Sequence, residues 1–360
     1  MIRQLCTLLP LLTLSCAASV ELAEDRRVEP SEDPTVLGVI NERVQQIAVD
    51  GQRIYWIGSI TDAASGWRSD ATLRSCRKQD CSNSLISYDD AAHGSSEFSV
   101  QNGQIYWLHL TDAGGTAQKW SLVSCSVEGC TRGLHTVAKE LYGAFGGTFS
   151  TEAMFVFVNE VRLDTVPQLL KIPLAGSVST PEVLLSDAQW SHSTVARGQY
   201  LYWIEPSRND YGATALVRML VRGGSPVEVL AEGLGFHSIA VDSSYVYWSR
   251  DGLNGAILRC PVAGCEGGPE VFVSPVRQPG NLTLENGNLY WQHDTLSQGG
   301  AVSRCSLVNC VLPARVAEGV APAQDLAFDD QYLYTVTIDE IPNPDEVWLR
   351  SLVKIRRLPK

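Results

Sequence analysis

Three side chains in the middle of the chain are of the types that acid–base or metal chemistry uses. His192 and His237 stand at equivalent places in neighbouring copies of a sequence repeat, and Glu205 lies between them. Histidine titrates near neutral pH and serves as general acid, general base or metal ligand. These three residues are therefore the candidates for a catalytic site, although the sequence alone does not assign them that role.

Other polar side chains recur at two points of the repeat, just before its first strand and just after its second. The first point holds Gln45, Ser96, Phe145, His192, His237, Gly280 and Gln324. The second holds His109, Glu205, Arg250 and His293. We expect a ligand-binding face formed by Gln45, Ser96, His109, Arg250, His293 and Gln324. A divalent metal bound by such a ring is one interpretation. The favoured interpretation is a wet channel mouth with no cofactor and no metal site.

Motifs and charge exclude several classes of function. The sequence contains no P-loop, no G-x-S-x-G and no H-E-x-x-H, so kinase, serine hydrolase and zincin chemistry are not indicated. The formal net charge of −12 and the pI near 5.0 argue against nucleic acid, because phosphate binding needs a basic face.

The repeat that positions these residues is built on a Tyr-Trp pair. Intact pairs occur at 55–56, 106–107, 202–203, 247–248 and 290–291, with weaker copies at 156–157 and 334–335. A repeat of roughly 45 residues rich in β-forming residues is typical of a β-propeller with one four-stranded blade per copy. Seven copies predict an all-β, seven-bladed β-propeller of antiparallel blades. A six-bladed propeller is the alternative.

The strand pattern also predicts how the ring closes. In the copy at 237–274 we assign strands A to D to residues 238–241, 245–249, 256–260 and 270–273. The sequence contains seven B strands but only six candidate D strands after them, and the last C strand is at 352–355. Residues 34–40 match a D strand, so the N-terminal strand is expected to complete the last blade. An open ring would leave exposed sheet edges.

Eight of the ten cysteines form four pairs with four residues between them, one pair across each of four C–D turns. The pairs are Cys76/Cys81, Cys125/Cys130, Cys260/Cys265 and Cys305/Cys310. In three other blades both positions are replaced together, at 172 and 177, 219 and 224, and 355 and 360. Local disulfides are the favoured interpretation, since zinc needs four ligands and each pair supplies two. Disulfides in turn indicate an oxidising compartment.

The N-terminus has the features of an export signal. Arg3 precedes an apolar run at 5–14, and Thr-Leu-Ser-Cys at 13–16 resembles a lipobox in which Cys16 is lipidated. Cleavage after Ala17 or Ala18 is the alternative. We expect a signal peptide at 1–16, a flexible acidic tether at 17–33 and a propeller at 34–360. The predicted location is outer-membrane or periplasmic lipoprotein, or secreted, with membrane contact only through a lipid anchor.

The Tyr-Trp pairs resemble those of YWTD propellers of the lipoprotein-receptor type, but Thr-Asp does not follow the pairs here. The whole chain resembles the secreted and lipoprotein propellers of Gram-negative bacteria, in which signal, paired cysteines and Tyr-Trp repeats occur together. It is also similar to streptogramin lyase in its expected seven blades. That enzyme's His/Glu metal site does not match residue by residue, so His192, His237 and Glu205 remain candidates by position.

The function expected from these features is a monomeric, non-enzymatic binding scaffold. Its partner would be a protein, peptide or glycan of the cell envelope, bound at the channel-mouth face. The alternative is a metal-dependent lyase or hydrolase that uses His192, His237 and Glu205. Fold-level analogy alone does not choose between them.

Overall fold

The computed structural model describes residues 36–40, 43–61, 68–89, 97–112, 118–159, 167–176, 178–191, 193–252, 254–293, 300–320, 326–338 and 353–359. The predicted signal peptide, Cys16 and the predicted tether lie outside them. The described residues form 28 β-strands. They contain no helix of the length and hydropathy that a membrane crossing requires.

Strand β1 covers Val36–Ile40 and belongs to the last blade. The strands of each blade are given in the order A to D. Blade 1 consists of β2 Arg43–Val49, β3 Arg53–Thr61, β4 Arg68–Arg77 and β5 Ile86–Asp89. Blade 2 consists of β6 Phe98–Gln101, β7 Gln104–Asp112, β8 Lys119–Ser126 and β9 His135–Tyr142. Blade 3 consists of β10 Ala144–Phe149, β11 Ala153–Val158, β12 Gln168–Pro173 and β13 Glu182–Leu185. Blade 4 consists of β14 Ser193–Arg197, β15 Tyr200–Pro206, β16 Thr214–Leu220 and β17 Glu228–Gly233. Blade 5 consists of β18 Phe236–Val241, β19 Tyr245–Arg250, β20 Ala256–Pro261 and β21 Glu270–Val273. Blade 6 consists of β22 Gly280–Glu285, β23 Asn288–His293, β24 Gly300–Ser306 and β25 Ala314–Val320. Blade 7 contains β26 Ala327–Phe328, β27 Tyr332–Ile338 and β28 Val353–Pro359.

The ring is closed by β1, which pairs antiparallel with β28 and supplies the fourth strand of blade 7. Val36 lies opposite Arg356, and Ile40 lies opposite Val353. The inner strand of blade 7 also contacts the inner strand of blade 1. Seven blades and closure by the N-terminal strand are therefore confirmed. Blades 6 and 7 are further joined by a bridge between Val320 and Thr337.

Each Tyr-Trp pair seals two blade interfaces, because neighbouring side chains of a strand point to opposite faces of the sheet. The tyrosine packs against the next blade and the tryptophan against the preceding one. Thus Tyr55 shares a buried cluster with Trp107, and Tyr334 shares one with Trp56.

The strand register corrects two of the sequence alignments. In blade 3, Phe155 and Val156 occupy the Tyr-Trp positions, one residue earlier than predicted. Val156 lies opposite Leu170 of strand C, which is the place that Arg74 holds opposite Trp56 in blade 1. In blade 7, Leu358 rather than Ile355 occupies the place of the first cysteine of a pair, because it lies opposite Leu333.

The predicted cysteine pairs are bonded as disulfides. Cα–Cα distances are 4.7 Å for Cys76–Cys81, 5.3 Å for Cys125–Cys130 and Cys305–Cys310, and 5.4 Å for Cys260–Cys265. They tie the C–D turns. We call the side of the ring that holds the A–B and C–D turns the turn face. The opposite side, with the B–C loops and D–A connections, is the channel-mouth face.

Two-residue A–B turns need positive φ angles, which Asn and Gly supply. Asn102-Gly103 (φ 54° and 71°) and Asn286-Gly287 (φ 46° and 71°) supply them. The turn at Asp50-Gly51 is of a different kind. There the Asp50 carboxylate accepts hydrogen bonds from the backbone N–H groups of Gln52 and Arg53, which makes an Asx turn instead.

Candidate functional site at the channel-mouth face

The inner strands carry β-bulges where the sequence placed the channel-mouth ring. The register shifts at Gln45 in β2, at Gly146 in β10, at His237 and Ser238 in β18, and at Asn281 and Leu282 in β22. Bulges re-aim side chains at the rims of β-structures. Of the predicted ring, Ser96, His192 and Gln324 lie outside the described residues. His237 is exposed and Gln45 is half-buried.

Side chains at two of these bulges accept hydrogen bonds from backbone N–H groups of the next blade. Gln46 Oε1 of blade 1 accepts a 2.7 Å hydrogen bond from Phe98 N of blade 2. Ser238 Oγ of blade 5 accepts a 2.9 Å bond from Leu282 N of blade 6. Buried backbone donors are expensive to leave unpaired, so these bonds fix the inner strands relative to one another.

His109 takes part in an interface between blades. Its Nδ1 lies 2.7 Å from Asp89 Oδ2, and the indole of Trp107 donates to the same oxygen at 2.7 Å. Asp89 is buried at the end of the outer strand of blade 1. The hydrogen bond to Asp89 raises the pKa of His109 above its ordinary value, while burial acts in the opposite direction. Sequence reasoning did not identify Asp89, because this residue does not stand at a recurring position of the repeat.

Glu205 stands two residues after Trp203, the position that His109 holds after Trp107. It is only 2% exposed. Its Oε2 accepts a 2.7 Å hydrogen bond from the Trp203 indole, and its Oε1 lies 3.4 Å from Arg208 Nε. Because Trp203 packs against blade 3, Glu205 is also directed towards blade 3. His237 belongs to the inner strand of blade 5, on the other side of blade 4.

The other predicted face residues have separate environments. His293 is buried, and its Nε2 lies 2.9 Å from Ser303 Oγ. Arg250 is exposed at the end of β19, opposite Ala256. Within the described ranges, no group of three His, Cys, Asp or Glu residues is arranged to hold a metal ion.

An exposed indole marks the connection between blades 3 and 4. Trp190 is 56% exposed, and its ring lies 4.0 Å from that of Phe145, centroid to centroid. Phe145 stacks on Phe157 at 6.0 Å, and Phe157 meets the edge of Trp203 at 6.1 Å. The exposed indole is thus the outer end of an aromatic column that extends into the core.

The same connection is held at its other end by Arg208. Arg208 Nη2 donates to the Asp187 carbonyl at 2.9 Å, and its Nη1 lies 3.2 Å from the Asp187 carboxylate. Arg208 also reaches Glu205, which binds Trp203 at the base of the column. Successive contacts therefore link Trp190 through the aromatic column and Glu205 to Arg208, which binds Asp187 in the same connection as Trp190. Trp190 is pre-organised, and an exposed aromatic face beside a cation and a carboxylate suits a sugar ring, a proline or an aromatic ligand group.

We call Phe145, Asp187, Trp190 and Arg208 the blade 3–4 platform. Sequence reasoning named Phe145 but missed the other three. The available signal was that Trp190 lies outside every Tyr-Trp pair, in a D–A connection. The partnership of Asp187 with Arg208 carries no local signal, because it joins two connections of different blades.

Comparison with known proteins shows the fold. No protein-family model matches the chain, and no curated protein matches it. Solved structures do. The β-propeller domain of the Trilobed protease from Pyrococcus furiosus, described as having an open velcro topology, superposes with a TM-score of 0.58 at 9% identity, covering 89% of this chain and 98% of that one.

Two peptidases are similar to this chain over about half of their own length. A puromycin-hydrolyzing peptidase of Mycobacterium tuberculosis gives a TM-score of 0.60 at 11% identity, covering 93% of this chain and 56% of that one. The Pyrococcus horikoshii acylaminoacyl peptidase gives 0.59 at 11%, covering 89% and 52%. This chain thus spans about half the length of each peptidase. The common feature is the fold, and the chain is a β-propeller.

Proposed function

We propose that the protein is an extracytoplasmic, lipid-anchored β-propeller that works as a binding scaffold, with the blade 3–4 platform as its ligand contact. The partner is a protein, peptide or glycan of the cell envelope. The observation that carries this proposal is Trp190. Its indole is exposed while both ends of its connection are fixed, by Phe145 and by Arg208. A pre-organised aromatic surface binds without first paying an ordering cost.

The ionisable groups near this face support binding rather than catalysis. His109 with Asp89, Glu205 with Trp203, and His293 with Ser303 are each engaged in contacts within or between blades. A general base must reach a substrate proton, and Glu205 and His293 are buried, at 2% and 9% exposed.

The four disulfides support an oxidising compartment. The signal-like segment and the lipobox-like Thr-Leu-Ser-Cys at 13–16 extend this to export and an anchor at Cys16. The tether would then hold the ring at a membrane surface.

The test is partner capture from the native envelope after chemical crosslinking. We compare the full chain with Trp190→Ala and with Leu234→Ala, a matched control whose exposed apolar side chain lies in the next D–A connection. We expect the wild type and Leu234→Ala to recover the same partner and Trp190→Ala to lose it, with all three melting alike. Equal recovery by Trp190→Ala, or no partner for the wild type, would overturn the proposal.

A metal-dependent lyase or hydrolase using His192, His237 and Glu205 is the second candidate. The favouring observation is His237, which is exposed at a bulge of an inner strand. After chelator treatment, Mg²⁺, Ca²⁺, Mn²⁺ and Zn²⁺ are titrated against the melting temperature, because a ligand of the native state raises it. A rise that His237→Ala removes supports this candidate, and no rise with any of these ions counts against it.

A further inference from the structure

The C–D turn of blade 6, on the turn face, exposes a run of apolar side chains. Val308, Val311 and Leu312 are 95%, 80% and 85% exposed. Cys305–Cys310 ties the turn that carries them. Single exposed apolar residues are ordinary, but a cluster of three in one turn indicates a contact surface.

One cation lies beside this turn, because Arg315 is the second residue of β25, which follows it. Arg315 also lines a cleft of about 440 Å³ between β25 and β28. Arg356, on the other side of that cleft, donates from Nε to Thr337 Oγ1 at 2.9 Å, towards the channel-mouth face. Arg315 pairs with Glu318 at 3.0 Å, and both side chains are more than half exposed. Such surface pairs are weak, so a phosphate can compete for the guanidinium. This arrangement occurs in a chain with a net charge of −12.

The chain enters the ring from the same face. Pro359 lies opposite Tyr332, next to the A–B turn of blade 7, so β28 ends at the turn face. β1 runs antiparallel to β28, and Val36 pairs nearer that end than Ile40 does. Val36, the first described residue, therefore lies at the turn-face end of β1 in blade 7, the blade next to the apolar turn of blade 6.

From these observations we infer that the turn face is a membrane-contacting surface. Val308, Val311 and Leu312 enter the headgroup region of an anionic bilayer, and Arg315 contacts a lipid phosphate. The channel-mouth face then points away from the membrane. This goes beyond the proposed function, from which it takes only the anchor, and it departs from the sequence-based expectation that the anchor alone touches the membrane. An apolar turn combined with a cation is a second membrane signal, which a lipid-anchored protein uses for stable attachment.

The experiment uses residues 17–360, which retain every described strand and lack Cys16, exported so that the disulfides form. Co-sedimentation is measured with vesicles of phosphatidylglycerol and phosphatidylethanolamine, and with phosphatidylcholine alone. The test variant is V308N/V311N/L312N. The matched control, V229N/L234N/V271N, changes two valines of the outer strands β17 and β21 and a leucine of a D–A connection, all exposed and none in blade 6.

We expect the wild type and the control to bind the anionic vesicles, and the test variant to bind on the order of tenfold less. Arg315→Gln, a second variant that leaves the turn unchanged, should weaken binding to the anionic vesicles only, with the effect vanishing at high salt. No binding by the wild type, or equal binding by the test variant, would overturn the inference. Concentration-dependent self-association that the test variant abolishes would also overturn it and would identify a second copy as the occupant. Trp190→Ala should bind vesicles normally, so failure here is distinguishable from failure of ligand capture.

Discussion

At the scale of single residues, the position two after the tryptophan of a Tyr-Trp pair makes buried polar contacts in blades 2 and 4. Strand alternation puts this side chain on the same face as the tryptophan. In blade 2 it is His109, which meets Asp89 of blade 1, and in blade 4 it is Glu205, which holds the indole of Trp203. The sequence predicted that these positions are special. The partner of His109 could not be predicted, because Asp89 is brought in by tertiary packing alone.

The His109–Asp89 contact predicts a pH dependence of stability. Since the pKa of His109 is raised in the folded protein, its contribution is fully present below the unfolded pKa of about 6.5 and is lost as pH rises through the folded pKa. Unfolding by urea, measured from pH 5 to 9, should show His109→Gln less stable than the wild type at low pH, with the difference shrinking as pH rises. The exposed His135, changed to Gln, is the control and should show no such trend. A constant difference for His109→Gln would contradict the assignment.

At the scale of elements, the A–B turns of three blades share an aspartate that binds the tyrosine of the pair. Asp50, Asp242 and Asp329 each accept from the tyrosine five residues later, at 2.6, 3.2 and 2.6 Å. Burial and the neighbouring Asp242 raise the pKa of Tyr247 to about 12. Only Asp329, among these three, is paired with a lysine of another blade, Lys78 at 2.5 Å. This ion pair spans the seam between blades 7 and 1.

The seam predicts unequal effects of equivalent substitutions. Burial alone would raise the pKa of Asp329, but hydrogen bonds from Lys78 and Tyr334 hold this pKa below its usual range. Its contribution is therefore present above about pH 4 and is lost as pH falls. We expect Asp329→Asn to lower the free energy of unfolding by about 1–3 kcal/mol at pH 7, because Lys78 keeps a partly buried charge without its partner. Asp242→Asn should cost less, and equal losses in urea titrations at pH 7 would contradict the seam assignment.

Closure by β1 predicts that its removal opens the ring. Deleting residues 17–40 removes the partner of β28 and exposes a sheet edge. We expect a lower melting temperature and aggregation, measured by thermal scans and light scattering. Deleting only 17–33 leaves β1 in place and should have little effect. Identical behaviour of the two truncations would show that β1 is dispensable.

How far the elements could be predicted depends on how sharp their patterns are. The strand at Glu270–Val273 was predicted to the residue, and closure by residues 34–40 followed from one missing D strand. The register of blade 3 was missed by one residue because all side chains from Ala153 to Val158 are apolar and buried, so no alternation marks the faces. The bulges, which are irregularities in the pairing of strands A and B of one blade, were missed as well.

At the scale of the whole molecule, the two faces of the ring differ in what they expose. The channel-mouth face presents Trp190 on a fixed support, whereas the turn face presents Val308, Val311 and Leu312 beside Arg315. One face is thereby suited to a ligand and the other to a surface. A propeller allows this division because its four strands per blade separate the two sets of connections.

The most direct test of the central claim, that the channel-mouth face binds a ligand through Trp190, is hydroxyl-radical footprinting of the protein in its native envelope and after purification. The account predicts that Trp190 is oxidised readily in the purified protein and is protected in the envelope. Leu234 on the same face should be oxidised equally in both samples, and the buried Trp203 should stay unmodified throughout. Equal oxidation of Trp190 in both samples would contradict the claim.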